Sequence, residues 1–275
     1  MREVLTVDLN SAIKAVVEKL PGIDELYPVQ IQLLESLVRL ENVFFTSATN
    51  SGKTLPAVIF PNVVDELNQL GYEIPSGKVL FVTALNSIQS SLVSSMEFLG
   101  LECAVITLDN FTEVITSEVK VIFIGPEVLK LPHISRCLLA HRSSFILKVL
   151  DEAHLIASWG LRKGDKQAFR PAMALSSGEL SGIGGKILMM TATATSKTVR
   201  ILMDQMPEIK KWKLMLNSPR REKVTVVVPN PEILSAKFEV VLEPFILRMV
   251  DFHESYLILV RGTNPFYLYV YGAFN

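Results

Sequence analysis

Six short apolar runs, separated by stretches of helical period, leave this chain few folds to choose from. The runs are 42–47 (NVFFTS), 78–83 (KVLFVT), 102–107 (ECAVIT), 119–124 (VKVIFI), 145–150 (FILKVL) and 186–191 (KILMMT). Runs of about four to eight apolar, partly β-branched residues suit strands covered on both faces, the condition of a parallel sheet. Residues 87–100 and 198–206 between them have helical period. Ahead of them, 10–20 (NSAIKAVVEKL) and 29–40 (VQIQLLESLVRL) read as amphipathic helices. Asn10 or Ser11 is the expected cap of the first, and Pro21-Gly22 its stop. Strands alternating with helices over about 150 residues predict an α/β fold with a doubly wound, mostly parallel sheet.

Composition removes other classes. At 49% hydrophobic residues and a net charge of -1, the chain cannot be intrinsically disordered. With 14 Gly, 14 Pro and 2 Cys it is neither collagen-like nor a disulfide scaffold. Cys103 and Cys137 have no metal-type spacing, so two reduced, mostly buried thiols and no zinc site are expected. The N-terminus lacks the apolar core of a secretory signal, and no apolar run approaches the ~18 residues of a membrane span. An intracellular, soluble protein with no membrane partner is therefore expected. The near-neutral charge gives no support for nucleic-acid binding, yet residues 186–223 hold nine Lys+Arg against three Asp+Glu. That stretch is either a basic binding face or a solvated surface.

Two strand ends carry chemistry. The first run leads into Ser47-Ala48-Thr49-Asn50-Ser51-Gly52-Lys53-Thr54. Gly52 lets backbone approach a phosphate, Lys53 reaches β/γ oxygens, and the Thr54 hydroxyl suits Mg²⁺. Thr49, Asn50 and Ser51 complete the expected ATP loop. The strict pattern wants Gly where Ser47 stands. The run 145–150 ends in Asp151-Glu152-Ala153-His154. Asp151 is the second expected Mg²⁺ ligand, and Glu152 the group that orients or deprotonates an attacking water. Alone, either element reads equally as a simple turn. Together, at successive strand ends, they predict binding and hydrolysis of a nucleoside triphosphate, with Lys53, Asp151 and Glu152 as the catalytic set.

The Asp-Glu-Ala-His run after such a loop resembles superfamily 2 helicases. Its continuation, Ser158-Trp159-Gly160 and later Phe169-Arg170-Pro171, is similar to the aromatic-rich loop of RecQ-family DNA helicases, with an insertion at 161–168. Leu26-Tyr27-Pro28-Val29-Gln30 resembles that family's adenine motif, with Tyr27 where the family has Arg. Thr83 to Ile88 and Gly125 to Leu129 resemble two further family segments, the former one that touches the DNA backbone. Thr191-Ala192-Thr193-Ala194 matches the run that links the ATP site to the DNA groove. Ser218 to Val224 resembles the connector to a second motor domain.

The resemblance implies a RecA-like fold (a P-loop NTPase) and 3′–5′ unwinding of DNA driven by ATP and Mg²⁺, in DNA repair or recombination. It implies Gln30 on adenine and His154, Thr191 and Thr193 in coupling. Trp159, Arg162, Lys163, Phe169 and Arg170 would meet single-stranded or 3′-tailed DNA, and the location would be nuclear. Trp159 reads alternatively as packing under the sheet. The implied domains are an N-terminal helical segment at 1–25, an ATP-binding domain at 26–216, a connector at 217–243 and a truncated second helicase domain at 244–275. That last part would open with a helix at 244–253 and a strand at 256–260. With so little of the second domain, impaired turnover is expected. Two alternatives remain: a non-catalytic nucleic-acid or partner-binding remnant, and another superfamily 2 motor acting on RNA.

Overall fold

The computed structural model describes residues 4–48, 51–83, 86–161, 167–174, 179–180, 182–217, 256–260 and 267–271. The chain divides into two compact units, residues 1–221 and 222–275. Helices α1 (Thr6–Val17) and α2 (Pro28–Val38) precede β1 (Val43–Thr46) and α3 (Leu55–Gln69). Then follow β2 (Lys78–Val82), α4 (Asn86–Phe98), β3 (Cys103–Val105), α5 (Phe111–Thr116) and β4 (Val121–Ile124). Two short helices, α6 (Pro126–Leu129) and α7 (Pro132–Ala140), lead to β5 (Phe145–Leu150). The first unit closes with β6 (Lys186–Thr191), α8 (Ser196–Asp204) and β7 (Lys213–Leu216).

Its seven strands form one sheet in the order β3-β4-β2-β5-β6-β1-β7. Every pair in it is parallel. The expected doubly wound α/β sheet is present, and all six apolar runs are strands. The phosphate-loop strand β1 and the carboxylate strand β5 do not neighbour one another, because β6 runs between them. The helix α1 starts before its expected cap. Asn10 and Ser11 lie inside it, since Leu9 is already buried against the core, and the Ser11 hydroxyl donates to the Val7 carbonyl at 3.0 Å. The strand β7 escapes the apolar pattern: it is a four-residue edge strand, mostly exposed, that pairs with β1 alone.

The inner strands of the sheet are buried on both faces, as continuous apolar strands require. Val43 and Phe45 pack with α1, α2 and α3, whereas Phe44 between them joins the opposite core with Ile122, Leu150 and Met189. Burying each such side chain contributes about 1.5–3 kcal/mol. One polar group breaks this regularity. Lys148 sits mid-strand in β5 at 3% exposure, and its ammonium donates to the carbonyls of Leu180 (2.9 Å) and Ile183 (2.6 Å). Burial pulls its pKa down to about 8, against the opposing attraction of Glu208. Cys103 and Cys137 are free thiols but half-buried rather than mostly buried.

In the second unit β8 (Tyr256–Val260) pairs antiparallel with β9 (Tyr267–Tyr271), Tyr256 opposite Tyr271. A parallel partner would need a crossover of roughly a dozen residues or more, which the short connection does not supply. The strand expected at 256–260 is present. The expected helix at 244–253 lies outside the described residues. Among the described residues no helix is long and apolar enough to cross a membrane.

Candidate functional site

The described residues singled out for nucleotide chemistry gather at or beside the carboxyl edge of the sheet. Beyond β1, Ser47 donates its backbone N–H to the Thr191 carbonyl at 3.3 Å, which ties the loop's entry to β6. Thr49 and Asn50 lie outside the described residues. Gly52 has φ of 67°, in the left-handed region that glycine adopts without strain. A Cβ there would also lie 2.5 Å from Gln30 Nε2. Thr54 then leads into α3, whose N-terminus faces the loop.

Gln30, on the first turn of α2, is 3% exposed. Its Oε1 accepts from the Tyr27 backbone N–H at 2.8 Å, and its Nε2 donates to the Gly52 carbonyl at 2.9 Å. The amide expected on adenine also braces α2 against the phosphate loop. Tyr27 stands beside it with an exposed ring.

On the carboxylate side, Asp151 is 7% exposed and its Oδ1 accepts from the backbone N–H of Glu152 at 2.9 Å. Glu152 takes φ of 48°, an uncommon conformation for a side-chain-bearing residue and of the kind strained sites hold. That turn swings the chain over β6, where Ala153 N–H meets the Met190 carbonyl at 2.9 Å. Glu152 Oε1 receives the Lys53 ammonium at 2.9 Å, and Oε2 lies 3.3 Å from His154 Nδ1. The hydrogen bond from His154, and then that from Lys53, holds the Glu152 carboxyl down at about 2 although burial opposes them. Asp151 moves the other way: burial raises it, and the Lys53 charge only partly offsets this.

The Thr191 hydroxyl, fully buried at the end of β6, joins the two sides. It donates to the Thr193 carbonyl (3.0 Å) and accepts from the Thr193 N–H (3.1 Å). A hydroxyl has one proton, so the third contact, 2.9 Å to His154 Nδ1, is best satisfied by a proton on that nitrogen. The same Nδ1–H then also faces Glu152. Thr193 enters through its backbone, and its side chain is exposed.

The aromatic segment forms a third part. A π-helical turn at Ile156–Gly160 follows His154. Trp159 is half-buried against the core cluster that includes Phe44, Leu150 and Met189, and its ring meets Phe169 edge-on at 5.5 Å. Phe169 is 80% exposed. The Arg170 N–H donates to the Trp159 carbonyl at 2.9 Å, so the Trp-Gly and Phe-Arg-Pro halves meet at the base of the inserted loop. The Arg170 guanidinium forks onto Glu127 of α6, at 2.5 and 2.7 Å. Burial raises the Glu127 carboxyl, but this pairing outweighs it and holds the group below its ordinary value. Arg162 and Lys163 lie outside the described residues. Lys197, Arg200, Lys210, Lys211 and Lys213 of the basic stretch are exposed.

The donor set fits a hard cation accompanied by phosphates. Asp151 is a buried carboxylate, Thr54 adds a hydroxyl, and Ser51 Oγ is buried without a partner among the described residues. No cluster of three His, Cys, Asp or Glu that could cage a metal occurs among the described residues. Mg²⁺ needs no such cage, since it keeps waters and phosphate oxygens as ligands.

Two residues that the sequence reading had placed in motifs have roles it did not foresee. Glu127 pairs with an arginine 43 positions away, which no local spacing signals. Gln30's bracing of the loop follows only from where α2 packs.

A family model described as DEAD/DEAH box helicase matches residues 27–202, well over half of the chain. Among solved structures, the chain is similar to a hypothetical ATP-dependent RNA helicase from Sulfolobus tokodaii, at 18% identity over 77% of this chain and 57% of that one, TM-score 0.50. It is similar to the UvsW helicase from Bacteriophage T4, at 13% identity over 78% of this chain and 68% of that one, TM-score 0.51. It is also similar to the DEAD-box helicase Mss116 bound to ssRNA and UDP-BeF, at 19% identity over 78% of this chain and 43% of that one, TM-score 0.53. Likeness at these identities speaks to the fold, which is RecA-like. The chain spans less than two thirds of the Sulfolobus and Mss116 structures.

Proposed function

The chain belongs to the DEAD/DEAH box helicase family, and from that premise we propose that it binds ATP with Mg²⁺ at the carboxyl edge of its sheet and couples hydrolysis to a single nucleic-acid strand. The observation that carries this reading is the meeting of Lys53 and Glu152 at 2.9 Å across the end of β6, with His154 held against both Glu152 and Thr191. In this reading Lys53 leaves Glu152 for the β/γ phosphate oxygens, and Thr54 and Asp151 hold the metal. When bound, Mg²⁺ neutralises charge on those oxygens. Glu152, kept anionic by its neighbours, orients the attacking water and takes its proton. His154 and Thr191 carry the state of the carboxylate to the next strand end. Ser51 and Gly52 offer backbone N–H groups to the phosphates, Thr49 and Asn50 being the further expected members of the loop, and Gln30 sets the loop against α2.

The finer reading is a RecQ-type DNA helicase moving 3′–5′, a nuclear protein of DNA repair or recombination. The Trp159-Gly160 and Phe169-Arg170-Pro171 halves support it, because they meet at the base of one loop with an exposed aromatic ring. Residues 26–216 are then the ATP-binding motor domain, and 244–275 the opening of a second. The strand partner is single-stranded or 3′-tailed DNA. A second reading, a nucleic-acid binder without turnover, is favoured by the same ion pair, since incoming phosphates must compete with Glu152 for Lys53.

ATP hydrolysis by the full chain, alone and with oligo-dT or oligo-U, separates these readings. The proposal expects stimulation by oligo-dT exceeding that by oligo-U, and its loss in Lys53→Ala. Stimulation by oligo-U alone sinks the DNA reading. ATP and strand binding without any turnover sinks the enzyme.

A further inference from the structure

The expected phosphate contact Arg170 is already committed to a carboxylate. Its Nε and Nη2 form a two-pronged pair with Glu127, the planar geometry that makes arginine–carboxylate contacts directional as well as strong. Three further contacts act on the same segment. The Arg170 N–H closes the loop base on the Trp159 carbonyl. Lys130, just past α6, donates to the carbonyls of Pro171 (3.3 Å) and Ala174 (3.2 Å). Gly160 leaves no room for a Cβ, which would lie 2.5 Å from the Ala174 backbone nitrogen. Glu127 at the start of α6 and Lys130 just past its end thus hold both sides of the residue pair that follows the exposed Phe169 ring.

We propose that Glu127 is a positioning residue for the aromatic loop: through Arg170 it fixes the loop base on α6 and presents the Phe169 ring as the stacking face for a single strand. Arg170 is then a structural tie and not a phosphate contact. Stacking on an aromatic ring is tolerant of sequence and adds no counterion release. This rests on the nucleic-acid reading above, and deepens it by separating the group that binds the strand from the group that holds the binder.

The test is oligo-dT binding by the full chain, followed by fluorescence anisotropy across a salt series, which needs no turnover. Glu127→Gln and Arg170→Gln should weaken binding alike, by about three- to tenfold. Both should leave the slope of log K against log salt unchanged. The reversed pair, Glu127→Arg with Arg170→Glu, should recover most of the lost affinity, which also answers a folding defect in either single variant. If Arg170 instead meets a phosphate, Arg170→Gln lowers the slope by about 0.7, the share of one single-strand phosphate contact. Glu127→Gln would then leave binding unchanged or tighten it, and the reversed pair would not recover. That pattern overturns the inference while keeping the nucleic-acid reading. Absence of binding by the wild-type chain overturns both.

Discussion

Lys53, in the loop beyond β1, and Lys148, within β5, meet opposite environments. Lys53, at the carboxyl edge, faces the Glu152 carboxylate at 2.9 Å, beside solvent and a strained turn. Lys148, in the middle of β5, is buried with two backbone carbonyls as its acceptors. The first cation is poised to exchange its partner for another anion. The second is poised for nothing, because its acceptors are fixed parts of the chain segment that it holds over the core. A buried lysine is therefore no sign of a site by itself. What distinguishes the edge is a cation, two carboxylates and an imidazole whose charges act on one another within one cluster.

That contrast is easiest to break with substitutions that separate turnover from stability. Glu152→Gln keeps the shape of the edge and removes the group expected to take a proton. Steady-state ATP hydrolysis should fall by about 10²–10⁴ while the chain stays folded, losing at neutral pH only the stability that the Glu152 carboxylate itself contributes. Lys148→Ala should do the reverse. It opens a cavity and orphans the Leu180 and Ile183 carbonyls, for a loss of roughly 2–5 kcal/mol in urea unfolding. Lys148→Met keeps the volume and removes the buried charge, so its loss should be smaller, about 1–2 kcal/mol. If Lys148→Ala proves as stable as wild type, the tie across residues 180–183 bears no load. If it abolishes hydrolysis without unfolding, the division between edge and interior is wrong.

The two lysines also differ in how far the sequence announced them. Lys53 stands in a pattern whose members are adjacent in the chain, directly after an apolar strand, and Asp151-Glu152 repeats that logic at another strand end. Parallel sheets place strand carboxyl ends on one edge, so the position of a motif after a run predicts the site. Lys148 reads only as a polar interruption in FILKVL. Its partners are main-chain carbonyls 32 and 35 positions later, which any residue type supplies. Glu127 is silent for a related reason, since its arginine lies across a loop. The edge strand β7 was missed because its exposed KLML run is too short and too polar at its borders to carry period. The order of β6 between β1 and β5 is a matter of crossover topology, which strand patterns do not encode.

Titration sharpens the comparison, because the two clusters respond in separate pH windows. Lys148 has a folded pKa of about 8 against 10.5 unfolded, so between those values the unfolded chain binds more protons. Stability should then rise with pH across that window, by at most about 3 kcal/mol, and stay level below it. The neutral amine still donates to both carbonyls, so the tie survives deprotonation. Glu152 has the opposite sign: its folded value near 2 lies below the ordinary carboxylate value of 4.5. Its contribution is present above about 4.5 and is lost as pH falls toward 2. Urea unfolding across both windows, with Lys148→Met and Glu152→Gln as controls, should remove one slope each. A slope that persists in its control assigns it to another group.

The smallest expected effect lies where the edge passes information inward. The Thr191 hydroxyl serves three groups at once, as donor to the Thr193 carbonyl and acceptor from the Thr193 N–H and His154. Thr191→Val keeps the shape and deletes all three. Its cost should be about 1–2 kcal/mol, the range for leaving buried polar groups unpaired. His154 would keep only Glu152, at 3.3 Å. The imidazole then has no fixed seat on β6, and the carboxylate's state no longer reaches the next strand end. The ratio of strand-stimulated to basal hydrolysis should fall more than the basal rate does. Thr191→Ser, which retains the hydroxyl, should restore that ratio even though it loses a methyl group from the core. If Val and Ser behave alike, the methyl and not the hydroxyl matters, and Thr191 belongs with Lys148 to the interior rather than to the edge.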